Sequence, residues 1–291
     1  MKPDSVLSVT PGSKMLPGVI CLIRSHFGEV SSCNADDPIR HAFEHHFEVP
    51  GKQTRASLSL DASSALGLDQ STAECLAACV ETLHNASLVL DDFQDAALER
   101  RDHPTVCAMY GRDVALGLTL RLTTTAFVSL SQIKISKHTA ALTAEVHQAV
   151  ADTILGQTWD QDSDKNNQVE QVKQTAALKS GPLFGLSLSL PLIAAGHGEA
   201  VPTARRLGEL FGLGYQALDD LKDRATDRLQ AVDANIVNAF ESDLSFVEAE
   251  MATREVANAV LAEAQELAAQ LPRGSGAGIG RLIAQFSERS T

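Results

Sequence analysis

Two short stretches of this chain carry its most pointed chemistry. Asp91-Asp92-Phe93-Gln94-Asp95 and Asp219-Asp220-Leu221-Lys222-Asp223 share the pattern DDxxD, and each closes an apolar run. On a helix, residues four apart lie on one face, so Asp91 stands beside Asp95 and Asp219 beside Asp223. Carboxylates crowded in this way repel one another unless a cation occupies the gap. Magnesium suits that gap: this hard ion takes one or two carboxylates, keeps several waters and fills its remaining positions with phosphate oxygens. Two such clusters can clamp one diphosphate from opposite sides and stabilise the charge it gains on departure. A lone DDxxD at a helix end is commonly a solvated acidic face, but a second copy in a second apolar setting makes a metal-binding pair the better reading.

Cations flank the first motif. Arg100 and Arg101, in Glu99-Arg100-Arg101-Asp102-His103-Pro104-Thr105, lie within reach of whatever Asp95 holds. Guanidinium groups fit phosphate oxygens in pairs and stay charged at any working pH. Lys52 and Arg55 follow a helix break at Gly51, and His84 lies two helical turns before Asp91, along the same face. Singly, an Arg pair or a His is an ordinary surface or core feature. Beside a metal-type motif in an acidic chain, they become candidate phosphate ligands. His41, His45 and His46 have no acidic or Cys partner at ligand spacing, and we expect them to be exposed helix residues without a role.

The elements that must position these residues read as helices. From about residue 35 onward apolar positions return at intervals of three and four, as in Ala73, Leu76, Ala77, Val80, Leu83 and Ala86, or Leu207, Leu210, Phe211, Leu218 and Leu221. Strand signals are weak throughout. Breaks fall at Val49-Pro50-Gly51, Asp102-His103-Pro104, Asp160 to Gln171, Gly196-His197-Gly198 and Pro272 to Gly280. The spacing predicts about ten helices in a single-domain, all-α helical bundle, because no linker is long enough to separate two cores. That domain takes in residues 1–291, with 1–34 read as a candidate mobile N-terminal segment. The polar run Gln161 to Gln171 reads as an exposed, solvated connection.

The 291 residues, 44% of them hydrophobic, suffice for a substantial core. With 24 Lys and Arg against 37 Asp and Glu, a formal net charge of -13, the chain is a poor partner for nucleic acid, and an anionic ligand must meet local cations or a metal. The N-terminal stretch lacks the apolar run of a signal peptide, and GVICLI is too short to span a bilayer, so a cytoplasmic protein with no transmembrane segment is expected. The five cysteines, Cys21, Cys33, Cys75, Cys79 and Cys107, form no CxxC pair, which favours neither disulfides nor zinc. Cys75 and Cys79 are expected as buried thiols one helical turn apart.

Taken together, these residues resemble the trans-type isoprenyl diphosphate synthases, which include farnesyl and geranylgeranyl diphosphate synthases. The stretch ETLHNASLVLDDFQDAALERRDHPT, Glu81 to Thr105, is similar to the family's first aspartate-rich region almost position by position, and YQALDDLKD, Tyr215 to Asp223, to the second. Between them, GQTWD (Gly156 to Asp160) and ALKSGPLF (Ala177 to Phe184) match the signatures GQxxD and K-S/T-G-x-L-F in order. The likeness runs from about Pro50 to Ser287. It implies an isoprenoid-synthase-type bundle with a deep central cavity, usually a homodimer, and three magnesium ions per active site. By position, Asp91 and Asp95 would hold two of the ions and Asp219 the third, with Asp92 and Asp223 in support. Arg100 and Lys179 would contact an allylic diphosphate (dimethylallyl, geranyl or farnesyl). Lys52, Arg55, His84 and Arg101 would bind isopentenyl diphosphate. Gln216 would lie near the reacting ends, and the Ser180 carbonyl would face the forming carbocation. The implied reaction is ionisation, condensation and proton loss.

Several positions depart from that pattern. Gln53 stands for an Arg and Ala56 for a Pro, the GDxLL segment reads TLRL (Thr119 to Leu122), and the Gly-Lys-rich flap after the second motif is shortened to Arg224 to Asp233. Lys222, three residues after Asp219, is in position to replace that flap Lys, although a helix-surface Lys is the better reading. Ala86 and Ser87 are small where fifteen-carbon synthases of the family tend to carry an aromatic ring, which points to a longer product, geranylgeranyl diphosphate. Two rivals share the physics: a class I terpene cyclase, and a non-catalytic partner subunit of a related synthase. Removing Asp91 or Asp219 is expected to cost several orders of magnitude in rate while sparing the fold, on the argument that surplus negative charge is lost.

Overall fold

The structure is a computed structural model. It describes residues 16–29, 36–49, 51–134, 136–161, 168–230 and 235–289, except the side chains of 29, 136, 223–230 and 287–289. Within these residues the order is α1 (Leu16–Glu29), α2 (Pro38–His46), α3 (Thr54–Leu66), α4 (Gln70–Gln94), β1 (Glu99–Arg100), β2 (His103–Pro104), α5 (Val106–Tyr110) and α6 (Arg112–Ser131). There follow α7 (Thr139–Asp160), α8 (Val169–Ala194), α9 (Val201–Gln230), α10 (Ile236–Glu241), α11 (Phe246–Gln270) and α12 (Ala277–Arg289). Among the described residues twelve helices thus stand where about ten were expected, the short α5 and α10 among them, and the first of the twelve is α1. That helix lies within the stretch read as an N-terminal segment, yet it buries Val19, Ile23 and Phe27 against α2, α4 and α6. Positions 1–15 and 30–34 of the same stretch lie outside the described residues.

Local rules account for the helix ends. Asp37 and Asp69 cap α2 and α4, their carboxylates accepting from the N–H groups of Ile39 (3.0 Å) and Thr72 (3.0 Å). Gly67, at φ 78°, closes α3, a left-handed conformation that costs glycine least. Of the expected breaks, that at 272–280 holds a single 3-10 turn, Pro272–Gly274, before α12 begins, and residues 162–167 of the polar connection lie outside the described set.

Helix α8 is the centre of the bundle, packed against α3, α4, α7 and α9. Its apolar residues join two of the three core clusters: Phe184, Leu188 and Leu192 face α3, α9, α11 and α12, while Leu183, Leu186 and Leu190 face α4, α6 and α7. Both α6 and α8 are long and apolar enough to cross a membrane; 72% of the apolar stretch in α8 is buried inside the fold. A stripe of glycines lets α8 approach α9 backbone to backbone. A Cβ on Gly208 would fall 2.4 Å from the Gly185 nitrogen, and one on Gly212 would fall 2.5 Å from the Gly181 nitrogen. No residue larger than glycine fits there, and this contact fixes where α9, with the second aspartate motif, sits relative to α8. Cys75 and Cys79 are buried thiols of α4, as expected, and the burial pushes their acidity down.

Candidate active site

The first motif occupies the last turn of α4 and the turn after it. Asp91 and Asp95 are joined through the Asp95 N–H, which donates to the Asp91 carbonyl (2.9 Å), so the two carboxylates do share the helix end. The chain then reverses through Ala96 at φ 50°, with the Ala97 N–H donating to the Asp92 carbonyl (3.0 Å). This is a Schellman-type helix end built on alanine, where glycine is usual. The hairpin β1–β2 follows, Arg100 opposite His103, and both residues of its turn, Arg101 and Asp102, sit at φ 58°. Left-handed backbone at non-glycine residues costs about 1–2 kcal/mol each. Gln53, at φ 51° ahead of α3, adds another such residue close to Lys52 and Arg55. Strain of this kind persists where the surroundings over-determine it, and it gathers at functional sites.

The reversal swings Arg100 back onto the motif. Its Nη2 donates to Asp91 (2.8 Å) and its Nε to Asp92 (2.8 Å), the latter almost wholly buried. From α8, the Lys179 ammonium lies 3.1 Å from Asp91 and 2.5 Å from Asp160. From α7, Gln157 donates to Asp91 (3.0 Å) and Gln161 to Asp95 (2.9 Å). Gly156 makes this meeting possible: a Cβ there would fall 2.4 Å from the Lys179 backbone nitrogen. Burial raises the Asp91 pKa, but Lys179 and Arg100 outweigh it and hold the carboxyl at about 2. Burial likewise disfavours the Lys179 ammonium, and Asp91 and Asp160 overcome that and leave it firmly charged.

A second group of cations lies beside the first motif. The Arg55 guanidinium sits over the Phe184 ring, 3.9 Å from its centroid, and burial lowers its pKa to about 10. Its Nη1 lies 3.3 Å from His84 Nε2. Burial first, then Arg55, Arg101 and Arg100, hold His84 well below the usual imidazole range, so it is neutral and accepts from Arg55. His84 Nδ1 and Arg55 Nε then remain as buried nitrogens with no hydrogen-bond partner. Such orphans are rare in folded proteins and call for a ligand. Arg101 donates to the Val49 carbonyl (3.4 Å) and crosses the face of Gly51, where a Cβ would meet its Nη2 at 2.5 Å. Lys52 is half-buried at the mouth of the same turn. Glu81, buried and with its pKa raised by that burial, accepts from the Ala56 N–H (3.3 Å). The Pro expected at position 56 has no such donor.

The second motif lies on α9. Asp219 is half-buried, while Asp220 is buried and spent on structure, accepting from Gln216 Nε2 (2.9 Å) and from the Ile236 N–H (2.8 Å). The expected Gln216 is therefore tied to Asp220. The side chain of Asp223 lies outside the described residues, as do Arg224 to Asp233 with respect to side chains or backbone. Lys222 is exposed, in line with its surface reading. Ser180 is half-buried on α8. Two residues on, Pro182 interrupts the helix interior. A proline has no N–H, so the carbonyl it releases from the helix ladder is that of Leu178, four residues back.

Two expectations need correction. His45 and His46 are not exposed. His45 is 7% exposed, its Nε2 donating to the Pro104 carbonyl (2.8 Å), and His46 Nε2 donates to Asn85 Oδ1 (2.9 Å). The missing partners come from α4 and the hairpin, far off in sequence. Gln157 and Asp160 of GQTWD, and Gln161 just after it, carry no expected role in the sequence; the packing of α7 on α4 and α8 shows that they hold Asp91, Lys179 and Asp95 respectively.

The metal-ligating atoms that the first motif offers are carboxylate oxygens, with Asp91 held ionised by its cations, and this is the donor set that magnesium prefers. Residues 36–233 match the family model for polyprenyl synthetase, and the chain belongs to that family. It is 28% identical over 207 residues to a geranylgeranyl pyrophosphate synthase of Geoglobus acetivorans, an alignment covering 69% of this chain and 65% of the relative. It is 30% identical over 191 residues to a hexaprenyl pyrophosphate synthase of Saccharolobus solfataricus, covering 66% and 65%. The aligned chain thus spans just under two thirds of these relatives' length. Among solved structures, a geranyltranstransferase from Thermotoga maritima superposes with a TM-score of 0.75 at 26% identity, over 96% of this chain and 98% of that one. The solved Geoglobus acetivorans synthetase shares the fold, with a TM-score of 0.77 at 22% identity over 93% and 98%.

Proposed function

We propose that this protein is a prenyl diphosphate synthase that joins an allylic diphosphate to isopentenyl diphosphate. The observation that carries the reading is the convergence of Lys179, Arg100 and Asp91 at the end of α4, beside a second, separate set of half-buried cations around Arg55 and the neutral His84. One diphosphate must ionise and the other must be held without ionising, so two distinct anion sites are what the reaction needs.

Asp91, Asp95 and Asp219 would hold magnesium, three ions in all, with Asp92 and Asp223 in support; when bound, the ions draw charge from the departing diphosphate. Lys179 and Arg100 now neutralise Asp91 and Asp92, and both can turn from carboxylate to phosphate once the metals arrive. Their charge then stabilises a leaving group more than its bound precursor, which is what lowers a barrier. Arg55, Arg101 and Lys52 would take the isopentenyl diphosphate, and neutral His84 donates from Nδ1. The freed Leu178 carbonyl and that of Ser180 supply negative dipole where the allylic cation forms.

The product is expected to be geranylgeranyl diphosphate. Ala86 and Ser87 occupy the turn before Asp91, Ala86 packed among Val89, Leu118 and Leu122, and neither contributes bulk below the motif. A homodimer is part of the reading, supported by Leu116, Leu120, Ile154 and Leu155, which leave apolar surface open on α6 and α7. Incubation of the purified protein with magnesium, dimethylallyl diphosphate and labelled isopentenyl diphosphate, followed by chromatography, tests it. A twenty-carbon product is expected. A farnesyl peak overturns the chain length, and hydrocarbon formed without isopentenyl diphosphate, or no consumption of either substrate, overturns the activity.

A further inference from the structure

A metal site of a different kind lies where α2 meets the hairpin. His45 Nδ1 and His103 Nε2 are 3.2 Å apart, and the Glu48 carboxylate lies 3.7 Å from His103 Nε2. All three ligand atoms fall within 4.8 Å of one another. Ions bound at about 2.0–2.1 Å in tetrahedral geometry set their ligands about 3.3 Å apart, so the two imidazoles are already at coordinating separation and the carboxylate is near it. His45 donates its Nε2 proton to the Pro104 carbonyl (2.8 Å), which leaves the Nδ1 lone pair facing the gap. An outer hydrogen bond of this sort is what orients a ligating imidazole and makes it more basic. The two rings are stacked, 4.3 Å apart at 29°. Glu48 is held beside His45 by a turn in which its N–H donates to the His45 carbonyl (3.2 Å), and its side chain is 63% exposed, so an ion can enter.

We propose that His45, Glu48 and His103 form a site for an imidazole-preferring transition dication such as zinc, separate from the aspartate sites. Two nitrogens and one carboxylate suit zinc or cobalt and suit magnesium poorly. Its place in the fold gives it a consequence. His103 pairs with Arg100 across the hairpin, and the turn between them carries Arg101. An ion here ties α2 to β2, the strand that pairs with Arg100 and follows the turn carrying Arg101.

Cobalt titration of the full-length protein in excess magnesium is the test. One cobalt per chain is expected, with visible ligand-field bands of a low-coordinate nitrogen and oxygen site, untouched by magnesium and displaced by zinc. His103→Ala and Glu48→Gln should each weaken it at least tenfold. Because Glu48 projects into solvent, its variant tests the site without disturbing the core. Cobalt that magnesium displaces, or an affinity unchanged in both variants, overturns the proposal.

Discussion

Replacing Asp91 by Asn in the metal-free protein should destabilise it, contrary to the expectation that losing a carboxylate from an acidic cluster spares the fold. The structure reverses that expectation, because Asp91 is not surplus charge: Arg100, Lys179 and Gln157 all bond to it. Its carboxyl is held at about 2 from an ordinary 3.8, and every tenfold strengthening of the acid corresponds to about 1.36 kcal/mol. The ionised form therefore contributes about 2 kcal/mol. For a depressed carboxylate this contribution is complete above pH 3.8 and is lost as the pH falls through about 2. Urea unfolding with a chelator present should show Asp91→Asn about 2 kcal/mol less stable than wild type at pH 7, with the gap closing between pH 4 and 2. Equal stability at pH 7, or a gap that persists unchanged at low pH, would refute the pairing. Under the proposed function the same variant loses several orders of magnitude in rate with magnesium restored.

Asp160→Asn leaves the half-buried Lys179 with Asp91 and the weaker field of Asp95, and should raise KM for the allylic diphosphate while costing about 1–3 kcal/mol in chemical denaturation; unchanged values for both would mean that Asp160 does not position the lysine. Gly208→Ala drives a methyl into the Gly185 backbone, and a loss of about 3 kcal/mol in urea unfolding is expected from this overpacking. Gly51→Ala displaces the Arg101 guanidinium, so KM for isopentenyl diphosphate should rise at least tenfold with kcat less affected, as steady-state kinetics would show. His46, lowered to about 4 by burial despite its bond to Asn85, contributes stability that is full above pH 6.5 and fades as the pH falls through about 4. His46→Gln should accordingly flatten the fall in unfolding free energy over that window.

The helical class, the paired faces of each DDxxD and the nearness of Arg100 and Arg101 to the first motif are all matters of short-range spacing, and periods of three and four report them directly. The resemblance carried by ALKSGPLF likewise singles out Lys179 as a candidate. What holds that lysine, however, is Asp160 on α7 and Asp91 on α4, and no local pattern relates three helices. The same limit explains the histidines. His45 and His46 sit on a short helix of mixed character and read as surface, yet Pro104, His103 and Asn85 cover them from segments far along the chain. Left-handed backbone at Gln53, Ala96 and Arg101 contradicts the preference of every one of those residues. Only contacts made after folding can impose such conformations, because their cost is local while the interactions that repay it are distant.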